Sequence, residues 1–232
     1  MQGALSPQEF LTAYAQKNGI DRFKKEVNLL NGIRYETAKV FYNEGIFDKT
    51  LEQIEKILNA DDSFIPAYIL KGNVLYKKGN VSSAVKVWER AYRRYRNIAL
   101  FLQIEGLYIK ESLPYRIIRL YKRTINFHPD DRNLMTFLAR LYLKLEMIDE
   151  AIKELEMLLK EDEGTKYQYL LLAESYARRG RFEESAKSYK NALDASHFTP
   201  VFTCRICKFA TGEWLDRCPN CRLWNTMDAE GL

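Results

Sequence analysis

Histidine is nearly missing from this chain: the 232 residues hold two, His128 and His197. His128 precedes Pro129 at a predicted helix end and His197 lies in a connector, so both read as surface or capping residues. That leaves almost no imidazole for acid–base work. Cysteine is confined to four positions near the C-terminus, so if those four share one task no thiol remains as a nucleophile. There is no Gly-x4-Gly-Lys-Ser/Thr phosphate loop, no His-Glu-x2-His and no Gly-x-Ser-x-Gly. Acidic pairs such as Asp61-Asp62 and Glu183-Glu184 fall at predicted helix starts, where the helix dipole favours them. The sequence therefore predicts no enzyme. No apolar run reaches 18 residues, so nothing reads as a membrane span, and no secretory signal opens the chain. The net charge of +5, from 36 basic and 31 acidic residues, is a mild excess, far from a nucleic-acid-binding tail.

What is present begins with the cysteines themselves. They stand as Cys204-x2-Cys207-x10-Cys218-x2-Cys221. Each Cys-x2-Cys pair makes a tight knuckle, and two knuckles wrap four thiolates tetrahedrally round one ion. Two disulfides in a secreted module are the alternative, and the missing signal sequence argues against them. Thiolate tetrahedra accept zinc or a single iron. One zinc ion is expected because nothing else in the chain resembles redox machinery; iron would make the module an electron carrier. The module, residues 200–232, is too small to hold together without its ion. Trp214, Trp224, Phe202 and Phe209 are its expected apolar packing, and its four basic and four acidic residues cancel.

The remainder repeats itself. Gly45 and Gly79 share a spacing with Gly72 and Gly106, the 34-residue period of tetratricopeptide helix–turn–helix units. The clearest copy runs from Ile65 to Ile98, with Tyr68, Gly72, Gly79, Ala84, Trp88 and Ala91 at the repeat positions. The copies at 132–165 and 166–199 follow suit. Those at 31–64, where Thr50 replaces a small alanine, and at 99–131, which loses one residue near Leu113-Pro114, are weaker. The expected fold is all-α: a solenoid of about five helix pairs over residues 31–199, followed by the four-cysteine zinc-ribbon or rubredoxin-like module.

Residues 1–30 fit no complete repeat. Ser6-Pro7-Gln8-Glu9 reads as a helix start, Phe10, Leu11 and Tyr14 as its apolar stripe, and Asp21 to Leu30 as a second short helix. The segment is expected to be a cap or the tail of a further repeat. The stacked pairs should present a concave groove lined by their first helices: Tyr35, Lys39, Tyr42, Asn73, Tyr76, Lys77, Lys110, Arg140, Lys144 and Arg178. Aromatic bodies interleaved with cations suit an acidic segment of a protein partner, or else simply solvate an inner face. Arg90, Arg93, Arg94 and Arg96 follow the second-helix frame onto the outer surface. They read as a solvated face or, as a weaker alternative, a contact for anionic lipid. The short connector from His197 to Pro200 predicts a knuckle packed on the last repeat, with Leu193, Phe198 and Phe202 at the joint.

Repeats followed by Cys204, Cys207, Cys218-Pro219, Cys221, Trp224 and Thr226, with a tail ending Gly231-Leu232, resemble the lipopolysaccharide assembly protein B family. The resemblance covers most of the chain; the repeats are generic and the knuckle is its specific part. It implies a rubredoxin-type metal site folded against the last repeats at the cytoplasmic face of a Gram-negative inner membrane. It also implies an adaptor that brings the deacetylase LpxC to the membrane protease FtsH and so tunes lipopolysaccharide synthesis. Three features depart from the family. Its members start with a membrane-spanning helix, so this chain is expected to be a cytosolic portion or a soluble relative. Lys208 replaces the usual glycine after the second cysteine, and Arg222 follows the fourth. Trp214-x3-Cys218 resembles the knuckle of the RadA recombination protein, which carries it before an ATPase core that this chain lacks. Nucleic-acid binding through a zinc ribbon and electron transfer through an iron-loaded knuckle remain the alternatives from other classes.

Overall fold

The computed structural model describes residues 20–161, 164–195 and 202–229. The predicted helix start at Ser6, the stripe of Phe10, Leu11 and Tyr14, the connector with His197 and Phe198, and the tail at Gly231-Leu232 lie outside these residues. Ten helices are described, in five antiparallel pairs: α1 (Ile20–Asn43) with α2 (Phe47–Ala60), α3 (Ile65–Lys77) with α4 (Val81–Tyr95), α5 (Ala99–Lys110) with α6 (Pro114–Phe127), α7 (Arg132–Lys144) with α8 (Ile148–Glu161), and α9 (Lys166–Arg178) with α10 (Phe182–Asp194). Three short strands follow: β1 (Phe202–Cys204), β2 (Ala210–Thr211) and β3 (Met227–Asp228), in the antiparallel order β2-β1-β3.

The same turn closes the first helix of every pair. Gly45, Gly79, Ser112, Glu146 and Gly180 all take left-handed backbone, with φ of 76, 79, 56, 57 and 78°. In each, the next residue's N–H reaches back five residues, as Asn80 does to the Leu75 carbonyl and Met147 to that of Tyr142, both at 2.9 Å. This closure satisfies carbonyls that the helix end leaves open. Ser112 and Glu146 hold a conformation that costs an L-residue about 1 kcal/mol. The step from Gly79 to Ser112 is one residue shorter than that from Gly45 to Gly79. The loss falls in α5, which has 12 residues where α3, α7 and α9 have 13.

The described chain divides into two compact units. The first holds α1 to α4 with residues 215–226. Its core is Tyr35, Ala38, Ile54, Ile57, Phe64, Ala67, Leu70 and Trp224. α3 and α4 close on Gly72, whose missing side chain admits the Trp88 indole; Trp88 Nε1 donates to the Ile69 carbonyl at 3.3 Å. Thr50, which stands where a small alanine is usual, is fully buried, and its hydroxyl donates to the Ile46 carbonyl at 3.0 Å. A separate helix was expected from Asp21 to Leu30, whereas α1 runs unbroken over 24 residues. Gly32 is its only glycine, and packing at that position outweighs the roughly 1 kcal/mol of helix propensity it forgoes.

The second unit holds residues 102–214 and 227–229, so α6 to α10 and the three strands lie within it. Leu138, Ala139, Tyr142, Ala151, Leu155, Leu158, Leu172, Ala173 and Ala192 form its buried helix faces. Gln168, fully buried, donates to the Thr136 hydroxyl at 2.9 Å while completing a reciprocal cap with Thr165 at the start of α9.

Candidate metal centre and the surface its knuckle covers

The two halves of the cysteine motif fold alike. In the first, Lys208 N–H donates to the Cys204 carbonyl (2.9 Å) and Cys204 N–H to that of Phe209 (2.8 Å). In the second, Arg222 donates to Cys218 and Cys218 to Leu223, both at 2.9 Å. Lys208, which stands where the resembled family has glycine, and Arg222, at the matching position of the second half, both sit at φ 60°. The hairpin needs left-handed backbone there, which explains the preference for glycine.

All four sulfurs lie within 4.8 Å of one another; Cys204 and Cys218 are buried, Cys207 and Cys221 half-buried. A tetrahedron of thiolates at about 2.3 Å from a metal has edges of about 3.8 Å, so this set closes on one ion with little movement. Four cysteines placed so close together can hold a metal ion. Four protein ligands fill a tetrahedral zinc and leave no open position, which suits a structural clip.

The second knuckle docks on α1 and on the start of α3. Asn28 makes a reciprocal pair with Trp224: its Nδ2 donates to the Trp224 carbonyl (2.8 Å) and its Oδ1 accepts from Trp224 N–H (3.1 Å). One turn on, the Trp224 ring fills the notch at Gly32, where an added Cβ would lie within 2.6 Å of three ring atoms. Another turn on, Tyr35 is buried, its phenol held above its ordinary pKa by burial first and by the adjoining Asp216 carboxylate second. Lys39 Nζ completes the row, 3.5 Å from Asp216. Positions 28, 32, 35 and 39 share one helix face. Asn225 then caps α3 from far along the chain. Its Oδ1 accepts from Ile65 N–H at 3.0 Å, where the N-cap Phe64 offers no side-chain acceptor, and its Nδ2 donates to the Ser63 carbonyl at 2.9 Å.

This corrects two expectations. Trp224 packs on α1 rather than inside the module, while Trp214 stays local, its Nε1 donating to the Met227 carbonyl at 3.2 Å. The predicted joint on the last repeat is also displaced. Leu193 is 78% exposed, and Phe202 packs instead on Phe137 of α7, ring centroids 6.4 Å apart. Asn133 of the same helix donates to the Ala229 carbonyl at 3.1 Å. The β-strand edge and the indole find complementary surface on first helices, which the exposed Leu193 on α10 does not offer.

The predicted groove residues fall on first helices as expected, but many are engaged within the chain. In the first unit Tyr35 and Lys39 face the knuckle; Tyr42, Asn73 and Tyr76 are half-buried, and Lys77 is exposed. In the second, Glu105 is 3% exposed and accepts two contacts from Arg140 at 2.9 Å, one from the Tyr121 hydroxyl at 3.3 Å and one from Lys144 at 3.5 Å. Arg178 pairs with Glu146 (3.1 Å) and Glu174 (2.5 Å). Lys110 is exposed. A partner's carboxylate would compete with these internal acids. Sequence reading missed Asn28, Gly32, Asp216 and Asn225; a lone glycine inside a helical pattern was the available signal of a close approach. The outer cluster is partly paired too, Arg93 with Glu89 at 2.7 Å and Arg94 with Asp62.

Two tetratricopeptide-repeat family models match the chain, over residues 116–174 and 168–197. The chain carries tetratricopeptide repeats, and such repeats mark a protein-interaction adaptor. No curated protein matches it. Solved structures similar to it include YrrB, described as a tetratricopeptide-repeat protein with an unusual peptide-binding site, at 20% identity, covering 79% of this chain and 91% of that one with a TM-score of 0.42. Another is MamA, at 18% identity, covering 68% of this chain and 92% of that one with a TM-score of 0.44. Among the described residues no helix is long and apolar enough to cross a membrane.

Proposed function

We propose that this chain is a protein-interaction adaptor that regulates lipopolysaccharide synthesis at the cytoplasmic face of an inner membrane, by bringing LpxC to the protease FtsH. The observation that carries the reading is the knuckle seated on the repeats: Trp224, a residue of the family motif, fills the Gly32 notch of α1, and its neighbour Asn225 caps α3. The second knuckle docked in this way is part of the core of the first unit, beside the first-helix faces of α1 and α3. The metal is zinc in this reading, held by Cys204, Cys207, Cys218 and Cys221, and its task is to keep the second knuckle folded on α1.

Protein partners are engaged through the first-helix faces of the first unit, where Tyr42, Asn73, Tyr76 and Lys77 offer aromatic and cationic side chains to an acidic segment. Reconstituted proteolysis tests the role. Adding the chain to membrane-embedded FtsH and LpxC should accelerate LpxC loss several-fold, and a Cys218→Ser chain should not. No change in LpxC lifetime with the metal-loaded chain would refute the proposed pathway and leave only the general adaptor.

A further inference from the structure

The outer face of α6 carries a charge pattern that the adaptor reading does not use. Helix α6 holds Arg116, Arg119, Lys122 and Arg123 and no acidic residue, whereas the second helices α2, α8 and α10 each hold more acid than base; α4 is also basic, but its Arg93 pairs with Glu89 and its Arg94 with Asp62. All four cations are exposed. Arg116, Arg119, Arg123 and Phe127 follow at spacings of three, four and four, so they share one face over three turns, about 17 Å. Lys122 lies at the edge, over the Tyr142 ring and toward Glu150 and Glu154 of α8. Arg116 Nε donates to the Tyr115 hydroxyl at 3.4 Å. Two aromatics stand out from this face, Phe127 at 74% exposure and Tyr115 at 54%.

We propose that this face docks on an anionic lipid bilayer. Three arginines spread along one exposed helix face match a plane of phosphate headgroups. An exposed phenylalanine at the end of the row is placed to enter the headgroup boundary, as interfacial helices use their aromatic residues. The opposite face of α6, with Ile117, Leu120 and Tyr121, is buried against the protein. Contact is therefore peripheral and salt-sensitive rather than inserted. The surface goes beyond the proposed adaptor role and does not depend on it.

Sedimentation of the full chain with vesicles tests it, using phosphatidylglycerol with phosphatidylethanolamine against phosphatidylcholine alone. Binding to the anionic vesicles is expected at low salt, with none to the neutral ones and loss in high salt. At about a fivefold contribution per basic residue, Arg116→Gln with Arg119→Gln and Arg123→Gln should weaken binding about a hundredfold. Phe127→Ser should weaken it about tenfold with its salt dependence kept. The control removes the same charge elsewhere, at Lys153, Lys187 and Lys190 on α8 and α10, and should leave binding unchanged. All these side chains are exposed, so circular dichroism should report intact helices in every variant. Equal losses in both triple variants, absence of binding to anionic vesicles, or tighter binding of single-stranded RNA through the same arginines would each overturn the proposal.

Discussion

Gly32→Ala should destabilise this protein, although the same change in an ordinary helix interior stabilises by about 1 kcal/mol. Gly32 lies in the middle of α1, and the new Cβ would sit within 2.6 Å of three atoms of the Trp224 ring. The indole is 5% exposed, and its backbone is held by both arms of the Asn28 amide, so it cannot tilt away cheaply. Overpacking of this kind costs about 1–3 kcal/mol. Trp224→Ala alone should cost about 3–5 kcal/mol as a buried aromatic lost. In the Trp224→Ala background the notch is empty, so adding Gly32→Ala should recover about 1 kcal/mol. The cycle should therefore show a coupling of about 2 kcal/mol or more, far above the near-additivity of independent sites. Urea unfolding of the four metal-saturated proteins measures it, with tryptophan emission shifting red where the indole is expelled. A more stable Gly32→Ala protein in the wild-type background, or a coupling near zero, would refute the docking geometry.

Metal loss should propagate to the knuckle's partners. Elemental analysis should find one ion, zinc, per chain, and Cys218→Ser or chelation should speed hydrogen exchange in α1 and at Ile65 and Ala67 of α3, while α10 stays unchanged. Faster exchange confined to α9 and α10 would contradict this. Lys208→Gly and Arg222→Gly should each stabilise the metal-loaded module by about 1 kcal/mol, since both residues sit at φ 60°; chelator competition reads this as tighter metal retention. Lys77→Glu should weaken capture of an acidic partner several-fold while helicity is kept, whereas reversing Arg90, Arg93 and Arg94 should not, and equal losses would indicate nonspecific charge.

The repeats were legible because their chemistry is local. A small residue must stand where Trp88 meets Gly72, and a left-handed turn must recur near every thirty-fourth position, so period and glycine placement expose both. Ser112 and Glu146 show the limit: the turn persists where its glycine is absent, and only the frame locates it. The clustering of the four cysteines was legible for the same reason, since Cys-x2-Cys spacing is the knuckle itself. The docking was not. Asn225 meets Ile65 and Ser63, and Trp224 meets Asn28 and Gly32, across most of the chain's length, and no periodicity links them. The residues expected in a groove do lie on first helices, but their charges could not be weighed. Nothing in the sequence marks Glu105, yet buried it gathers Arg140 and Lys144.

The most direct test of the adaptor account is a three-component titration. Purified metal-loaded chain is mixed with LpxC and with the cytoplasmic part of FtsH, separately and together, and the masses of the complexes are read by analytical ultracentrifugation. The account predicts that each partner binds alone and that a ternary complex forms when both are present. Failure of either partner to bind, or mutual displacement so that no ternary species appears, would contradict it.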